Sequence, residues 1–469
     1  MSFPRYPEYK DSGVEWLGEV PTHWKARPIK ALALLKGGAG FPDAEQGLEN
    51  EELYFYKVGS LGQANAKGIL QAAPDSISRD TAIRLGAFVF PAGTLTFAKV
   101  GAALLLARIR QLPAPSCLDN NMMGMLVSEA NDARFVLFAM SLVRFDLIAN
   151  PGAVPSLNAS QIEDFQLAVP PLREQTAIAT FLDRETAKID ALVAEQEKLI
   201  ALLQEKRQAV ISHAVTKGLD PNVPMKDSGV EWLGEVPAHW EVKRLRHAAE
   251  LNPSKSEIAH LDRTTEVSFL PMEAIGDNGT ISLERTRPVG DVETGYTYFQ
   301  EGDVTIAKIT PCFENGKGAV MRGLHNGCGF GTTELVVVRP ITCVALSDFF
   351  HFLFISNQFR QLGEAAMYGA GGQKRVPDDF VRDFSVAFPS LAEQAEINAF
   401  LDRETAKFDI LTAEARTAIT LLQERRTALI SAAVTGQIDV RCLAARGDAA
   451  QALAILDRLD RQDQDAAAH

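Results

Sequence analysis

The sequence predicts an α+β protein: two mixed α/β domains separated by a long antiparallel two-helix coiled coil, arranged as a pseudo-two-fold tandem repeat. Three observations predict it. A twelve-residue string occurs twice, a long heptad-patterned block occurs twice, and between them lie divergent segments in which short β-runs alternate with helical stretches.

The string KDSGVEWLGEVP fills residues 10–21 and again 226–237, an offset of 226 − 10 = 216, and each copy continues to a His-Trp pair, His23-Trp24 and His239-Trp240. The block FLDRETAK starts at Phe181 and again at Phe400, an offset of 400 − 181 = 219. Residues 31–168 and 247–387 keep faint correspondence only. Their ends still align, as IEDFQLAVPPLREQ (162–175) and VRDFSVAFPSLAEQ (381–394), and so do GTLTFAKV (93–100) and GDVTIAKI (302–309). A duplicated frame around altered inserts is the pattern of a modular protein with two different targets.

The repeated block carries apolar residues at alternating steps of four and three, the seam of a coiled coil. In the first copy the seam reads Ile178, Leu182, Ile189, Leu192, Leu199, Leu203 and Val210. In the second it reads Ile397, Leu401, Phe408, Leu411, Leu422 and Leu429, with Ala415 and Ala418 between. Polar rungs Glu185, Gln196 and Lys206 stand opposite Glu404 and Arg425 in the repeat. An antiparallel pairing sets acid against base and a parallel one sets like against like, so the helices are expected to pair antiparallel within one chain; a seam shared between two chains is the alternative. Pro170-Pro171 and Pro389 precede the helices and Gly218 and Gly436 follow them, as helix boundaries require. Some 45 residues at 1.5 Å rise make a rod of roughly 65 Å.

The expected division is 1–170, first domain with its linker; 171–217, first long helix; 218–388, linker and second domain; 389–436, second long helix; and 437–469, a tail. Ala452, Ile455, Leu456 and Leu459 give the tail the spacing of a short amphipathic helix or a frayed end. Within the domains, strands are expected at 87–90, 94–100, 304–309 and 335–338, and helices at 134–148 and 346–359. All four tryptophans (Trp16, Trp24, Trp232, Trp240) lie in the repeated linkers. Aromatic rings there could stack bases, but symmetric placement in the constant frame favours packing of domain against rod.

Composition is that of an ordinary soluble chain, with 46% hydrophobic and 23% charged residues. No stretch approaches the roughly 18 apolar residues of a membrane span, and no membrane association is expected. Five cysteines (Cys117, Cys312, Cys328, Cys343, Cys442) with no C-x-x-C pair argue against a disulfide framework or zinc cluster and for the cytoplasm. The net charge of −13 runs against nucleic-acid binding, although only the contacting face has to be basic.

The segment YPEYKDSGVEWLGEVPTHW (6–24), its second copy, and the P-x-L-x-E-Q-x-x-I-x-x-F-L-D-x-E-T block before a long heptad helix resemble the specificity subunit of type I restriction–modification enzymes, over nearly the whole chain up to about residue 439. The resemblance implies two target recognition domains on an antiparallel spacer rod. It implies as partners double-stranded DNA, two modification (methyltransferase) subunits and motor-nuclease restriction subunits. It implies a non-catalytic chain, with S-adenosylmethionine, ATP and Mg only on those partners. The target is then bipartite and, because the two domains differ, asymmetric. Two readers on a rod would meet half-sites about one helical turn apart, roughly 34 Å, with the unspecified gap following rod length.

Base edges are read by donors such as Arg, Lys, Asn and Gln on loops, and phosphates by basic side chains or exposed amides. The segment GAGGQKRV (369–376) ends in Gln373, Lys374 and Arg375 and is a candidate DNA contact or a solvated turn. Its aligned stretch in the first domain, 151–157, has no basic residue. Lys99 and Lys308 occupy matching places after apolar strands and suit a phosphate or a packing role equally. Asn120 and Asn121, with rough counterparts Thr332 and Thr333, are further polar candidates.

No catalytic or metal-binding residue is assigned. The sequence has no N/D-P-P-Y/F signature with a glycine-rich cofactor loop and no G-x-x-x-x-G-K-[ST] phosphate loop. Its histidines lack metal-ligand spacing, and Glu241-x-Lys243 is an isolated E-x-K. An enzyme with an unrecognised active site and a purely structural coiled-coil adaptor are the competing readings. Methylation by the purified chain alone would support the first, and the second is favoured if neither domain binds DNA even with partners present.

Overall fold

A computed structural model describes residues 3–441 except Asn278 and Gly371; the proposed tail helix and Cys442 lie outside the described residues. The chain forms two compact units, Met1–Gln196 with Thr417–His469, and Glu197–Arg416. The division cuts through both long helices, α1 (Leu172–Lys217) and α2 (Leu391–Val434), so each unit holds one mixed α/β domain and about half of each helix.

In the first unit a four-stranded antiparallel sheet has the order Ala33–Gly37, Met122–Val127, Leu95–Ala98, Arg110–Gln111. The second unit repeats the order with Ala249–Leu251, Leu335–Pro340, Val304–Ala307 and Gly318–Val320. The central strands are apolar on both faces because each is covered on both: the neighbours Met122 and Met123, like Val336 and Val337, point to opposite faces and are buried. A second sheet in each unit pairs strands in parallel, Phe55 opposite Cys117 and Phe269 opposite Phe330. The second unit adds an edge strand there, Thr297–Gln300. Ala87–Phe90 is not a strand. Phe90 makes one bridge with Ser116, and Pro91, with no N–H to donate, ends the pairing. The long helices expected inside the domains are each broken in two, Ala133–Met140 and Phe145–Ile148, then Ser347–Phe354 and Asn357–Ala366.

Each variable segment is inserted between two paired strands of the constant frame. Lys25–Pro28 pairs with Gln166–Val169, and Glu241–Arg244 pairs with Ser385–Phe388, all antiparallel. The strand that leaves the domain runs directly into the long helix.

The helices pair antiparallel within the chain. In the first unit Ile178, Leu182 and Ile189 of α1 share a buried cluster with Leu429, Ile430 and Ala433 of α2. In the second, Ile211 and Val215 of α1 lie in one cluster with Ile397 and Leu401 of α2. The expected acid–base rungs are corrected by the register. Glu185 bonds Arg184 and Lys188, and Glu404 bonds Lys407, each on its own helix. Inter-helix pairs include Asp190–Arg426, at 2.8 Å, and Arg207–Asp409. Both 409 − 190 and 426 − 207 equal 219, so the two pairs are one pair used twice in exchanged order.

The seam is corrected in phase as well. Leu192, Leu199 and Leu411 are 48%, 42% and 45% exposed, while Val193 packs against the core. Thr186 and Thr405 hold the buried places expected for Glu185 and Glu404, each hydroxyl donating to a carbonyl one turn back. The doublets Leu192-Val193, Leu199-Ile200 and Val210-Ile211 offer two stripes one residue apart, and periodicity alone does not choose between them. Ile178, Leu182, Ile189, Ile397, Leu401, Phe408 and Leu429 are buried as seam residues, and Leu203, Val210 and Leu422 are half-buried.

Candidate nucleic-acid interface

Four parts meet at a corner in each unit. Trp24 is fully buried and its indole N–H donates to Glu174 Oε1 at 3.1 Å; His23 Nε2 lies 2.8 Å from Glu174 Oε2. Trp240 donates to Glu393 Oε1 at 3.0 Å, and His239 lies 2.9 Å from Glu393 Oε2. Both carboxylates sit in the first turn of a long helix, where the helix dipole favours negative charge. The fourth part is the glycine that ends the other helix. Gly436, at φ +80°, would place a Cβ 2.4 Å from Pro21, and Gly218, at φ +77°, would place one 3.3 Å from Trp240. The E-Q motif thereby gains a physical account. Gln175 Oε1 accepts from Asp132 N at 2.9 Å and its amide donates to Pro170 O; Gln394 does the same with Leu346 N and Pro389 O. The linker aromatics are structural, and Trp16 and Trp232 stack on Phe165 and Phe384 at 5.2 and 4.7 Å.

With the frame fixed, the candidate polar residues gather on one rim of each domain. Lys99 N donates to Asn121 O and Leu157 N to Lys99 O, both at 2.8 Å; Gly101 N donates to Pro155 O at 2.8 Å. In the second unit Lys308 N donates to Glu334 O, Val376 N to Lys308 O and Thr310 N to Lys374 O, at 2.8, 2.9 and 3.0 Å. Three chain segments therefore converge on each lysine, and the two rims superimpose bond for bond. This equivalence moves the counterparts by one position: Asn121 matches Glu334, Asn120 matches Thr333, and Asp119 matches Thr332. Asp119 Oδ1 accepts from Asn121 N at 2.8 Å and Thr332 Oγ1 accepts from Glu334 N at 3.2 Å, the same turn built from two residue types.

The rim side chains differ. Asn120, Asn121, Thr333, Gln373 and Lys374 are exposed, and Lys99, Lys308, Thr332 and Arg375 are half-buried. Lys99 lies over the backbone of Gly37, whereas Lys308 Nζ is 3.8 Å from Asp378. Arg375 is clamped by Glu334, and that guanidinium holds the Glu334 carboxyl below the usual glutamate range. Glu334 and Ser156, which matches Arg375, were not among the residues expected from sequence; counting back from the aligned strands Met122–Val127 and Leu335–Pro340 would have found the first.

Burial pushes the Cys117 thiol up to about 11 and raises Cys328, and Glu241 pairs with Lys243 at 2.7 Å. Among the described residues no cluster of three or more His, Cys, Asp or Glu is placed to hold a metal, and no helix is long and apolar enough to cross a membrane.

Comparison with known proteins agrees with this architecture. Residues 21–201 match the type I restriction modification DNA specificity domain. The EcoAI specificity subunit of Escherichia coli is 44% identical over 164 residues, 35% of this chain and 27% of the relative. The EcoEI specificity subunit of Escherichia coli is 41% identical over 165 residues, again 35% and 27%. The matched stretch thus spans about a quarter of each relative's length. A chain from a solved structure on complex assembly and conformational transition of the type I R-M system superposes with a TM-score of 0.59 at 15% identity, covering 89% of this chain and 99% of that one, a likeness of fold. Residues 21–201 are thus similar to the type I restriction modification DNA specificity domain.

Proposed function

We propose that this chain is the DNA sequence-specificity subunit of a type I restriction–modification complex, each unit reading one half of an asymmetric, two-part target. The observation that carries the reading is the pairing of a matched specificity domain with a second copy of its frame whose rim differs in side chain. Identical frames with unlike rims suit two unlike half-sites. In this reading the chain itself does no chemistry. It directs two modification subunits and the motor-nuclease subunits, and those partners hold S-adenosylmethionine, ATP and Mg. Lys99, Asn120 and Asn121 face one half-site, and Lys308, Thr332, Thr333, Gln373, Lys374 and Arg375 the other. The length of the paired helices governs the unread gap.

Methylome sequencing of cells with and without the gene tests this. The expected result is loss of one gapped, asymmetric adenine-methylation motif on deletion; an unchanged methylome overturns the proposal.

A further inference from the structure

We propose that Arg375, held in place by Glu334, is a preorganised guanine reader of the second unit. The inference rests on the function proposed above and names the base.

A guanidinium is planar and presents two pairs of parallel N–H groups along different edges. Glu334 occupies one edge, with Arg375 Nε 2.9 Å from Oε2 and Nη2 2.6 Å from Oε1. The other edge, Nη1 with the outer N–H of Nη2, meets no partner among the described residues. Its spacing matches O6 and N7 of guanine in the major groove. Adenine puts an amino donor where guanine has O6, so the same edge loses one bond and gains a repulsion.

The placement agrees. The Arg375 side chain is 39% exposed and Glu334 only 23%, so the guanidinium is the more open partner of the pair. The Arg375 backbone bridges both Ile309 and Tyr368, which fixes the base of the loop. Backbone and side chain are thus ordered before any ligand arrives, and the ordering cost of a long side chain falls on folding instead of binding.

Arg339 shows what a structural arginine looks like in the same domain. Asp303 fills its Nε–Nη2 edge at 2.7 and 2.8 Å, and both oxygens of Glu257 meet Nη1, so no edge is left. Arg134 in the first unit is likewise filled, by Asp183 and by the carbonyl of Lys67. Arg375 is clamped on one side alone. The first unit has Asn121 and Ser156 at the matching places, so the device belongs to one half-site.

The test uses the full chain assembled with its modification subunits, incubated with a pool of random DNA duplexes, and sequencing of the bound fraction. The wild type is expected to enrich a gapped two-part sequence. Arg375→Ala should reduce the preference for guanine at one position by roughly tenfold or more, with the other half-site unchanged as the internal control for folding. Arg375→Lys, which lacks the fork, should lose the same preference, and Glu334→Gln part of it. Uniformly weaker binding with every base preference kept assigns Arg375 to a phosphate and overturns the inference while leaving the proposed function standing. A wild-type pool with no enriched sequence overturns both.

Discussion

The corners and the rims of this molecule are built by opposite rules. At the corners the two units use the same residue types for the same bonds: Trp to Glu, His to Glu, and a left-handed glycine against proline and tryptophan. At the rims they use the same backbone bonds and different side chains, Asn121 and Ser156 in one unit, Glu334 and Arg375 in the other. The corner fixes identity through the packing of a fully buried tryptophan and the hydrogen bonds of its carboxylate. A rim held by backbone leaves its side chains free to differ. The lesson is that the backbone carries the geometry of the rim and the side chains its variation.

Three experiments can break or sharpen that contrast. The largest effect is expected at the corners: Trp24→Ala and Trp240→Ala should each destabilise their own unit by about 3–5 kcal/mol, read by denaturant unfolding. A loss well under 1 kcal/mol in either would mean the two corners are not equivalent. Next is a difference of pH response. His351, on the helix Ser347–Phe354, is desolvated and its pKa is pushed down to about 4. Burial dominates there; Arg207 and Arg322 add to it and Asp348 opposes it. The folded state prefers the neutral ring, so its contribution is fully present above the unfolded pKa of about 6.5 and is lost as pH falls toward the folded one. The second unit should lose on the order of 2–3 kcal/mol between pH 7 and pH 4 on this account. Leu137 holds the equivalent place beside Gly68 in the first unit, as His351 does beside Gly279. His351→Leu should therefore flatten the slope in urea melts across that range; an unaltered slope would place its origin elsewhere. The smallest effect separates the corners themselves. Glu174 accepts from Tyr6 as well as Trp24, and the second unit has Asn222 where the first has Tyr6. Glu174→Gln should cost about 1–3 kcal/mol and Glu393→Gln less, measured by thermal unfolding; equal costs would show that the tyrosine contributes nothing.

Much of this was legible in the sequence because duplication exposes a frame. The twin linkers and the two long helices followed from repeats and periodicity; the antiparallel pairing was expected from rungs, Glu185 and Glu404, that bond within their own helices instead. The seam phase did not, since Leu192-Val193 and Leu199-Ile200 satisfy either stripe and only the partner helix selects one. The roles of Glu174 and Gln175 were hidden for another reason: their partners lie 150 and 43 residues away, and no local pattern carries a long-range hydrogen bond. At the rim, Lys99 and Lys308 were visible as a repeated position. Glu334 was missed because an acidic residue is not sought on a surface proposed to face DNA.

The strand pairs Lys25–Pro28 with Gln166–Val169, and Glu241–Arg244 with Ser385–Phe388, have a consequence for how such a chain can change. Where two ends of an insert are stapled side by side, the entropy of closing it grows only slowly with its length. Segments of different size can then be exchanged between the same two staples while the rest of the chain folds as before. Novelty in such a protein comes as a transplant, with the host left untouched.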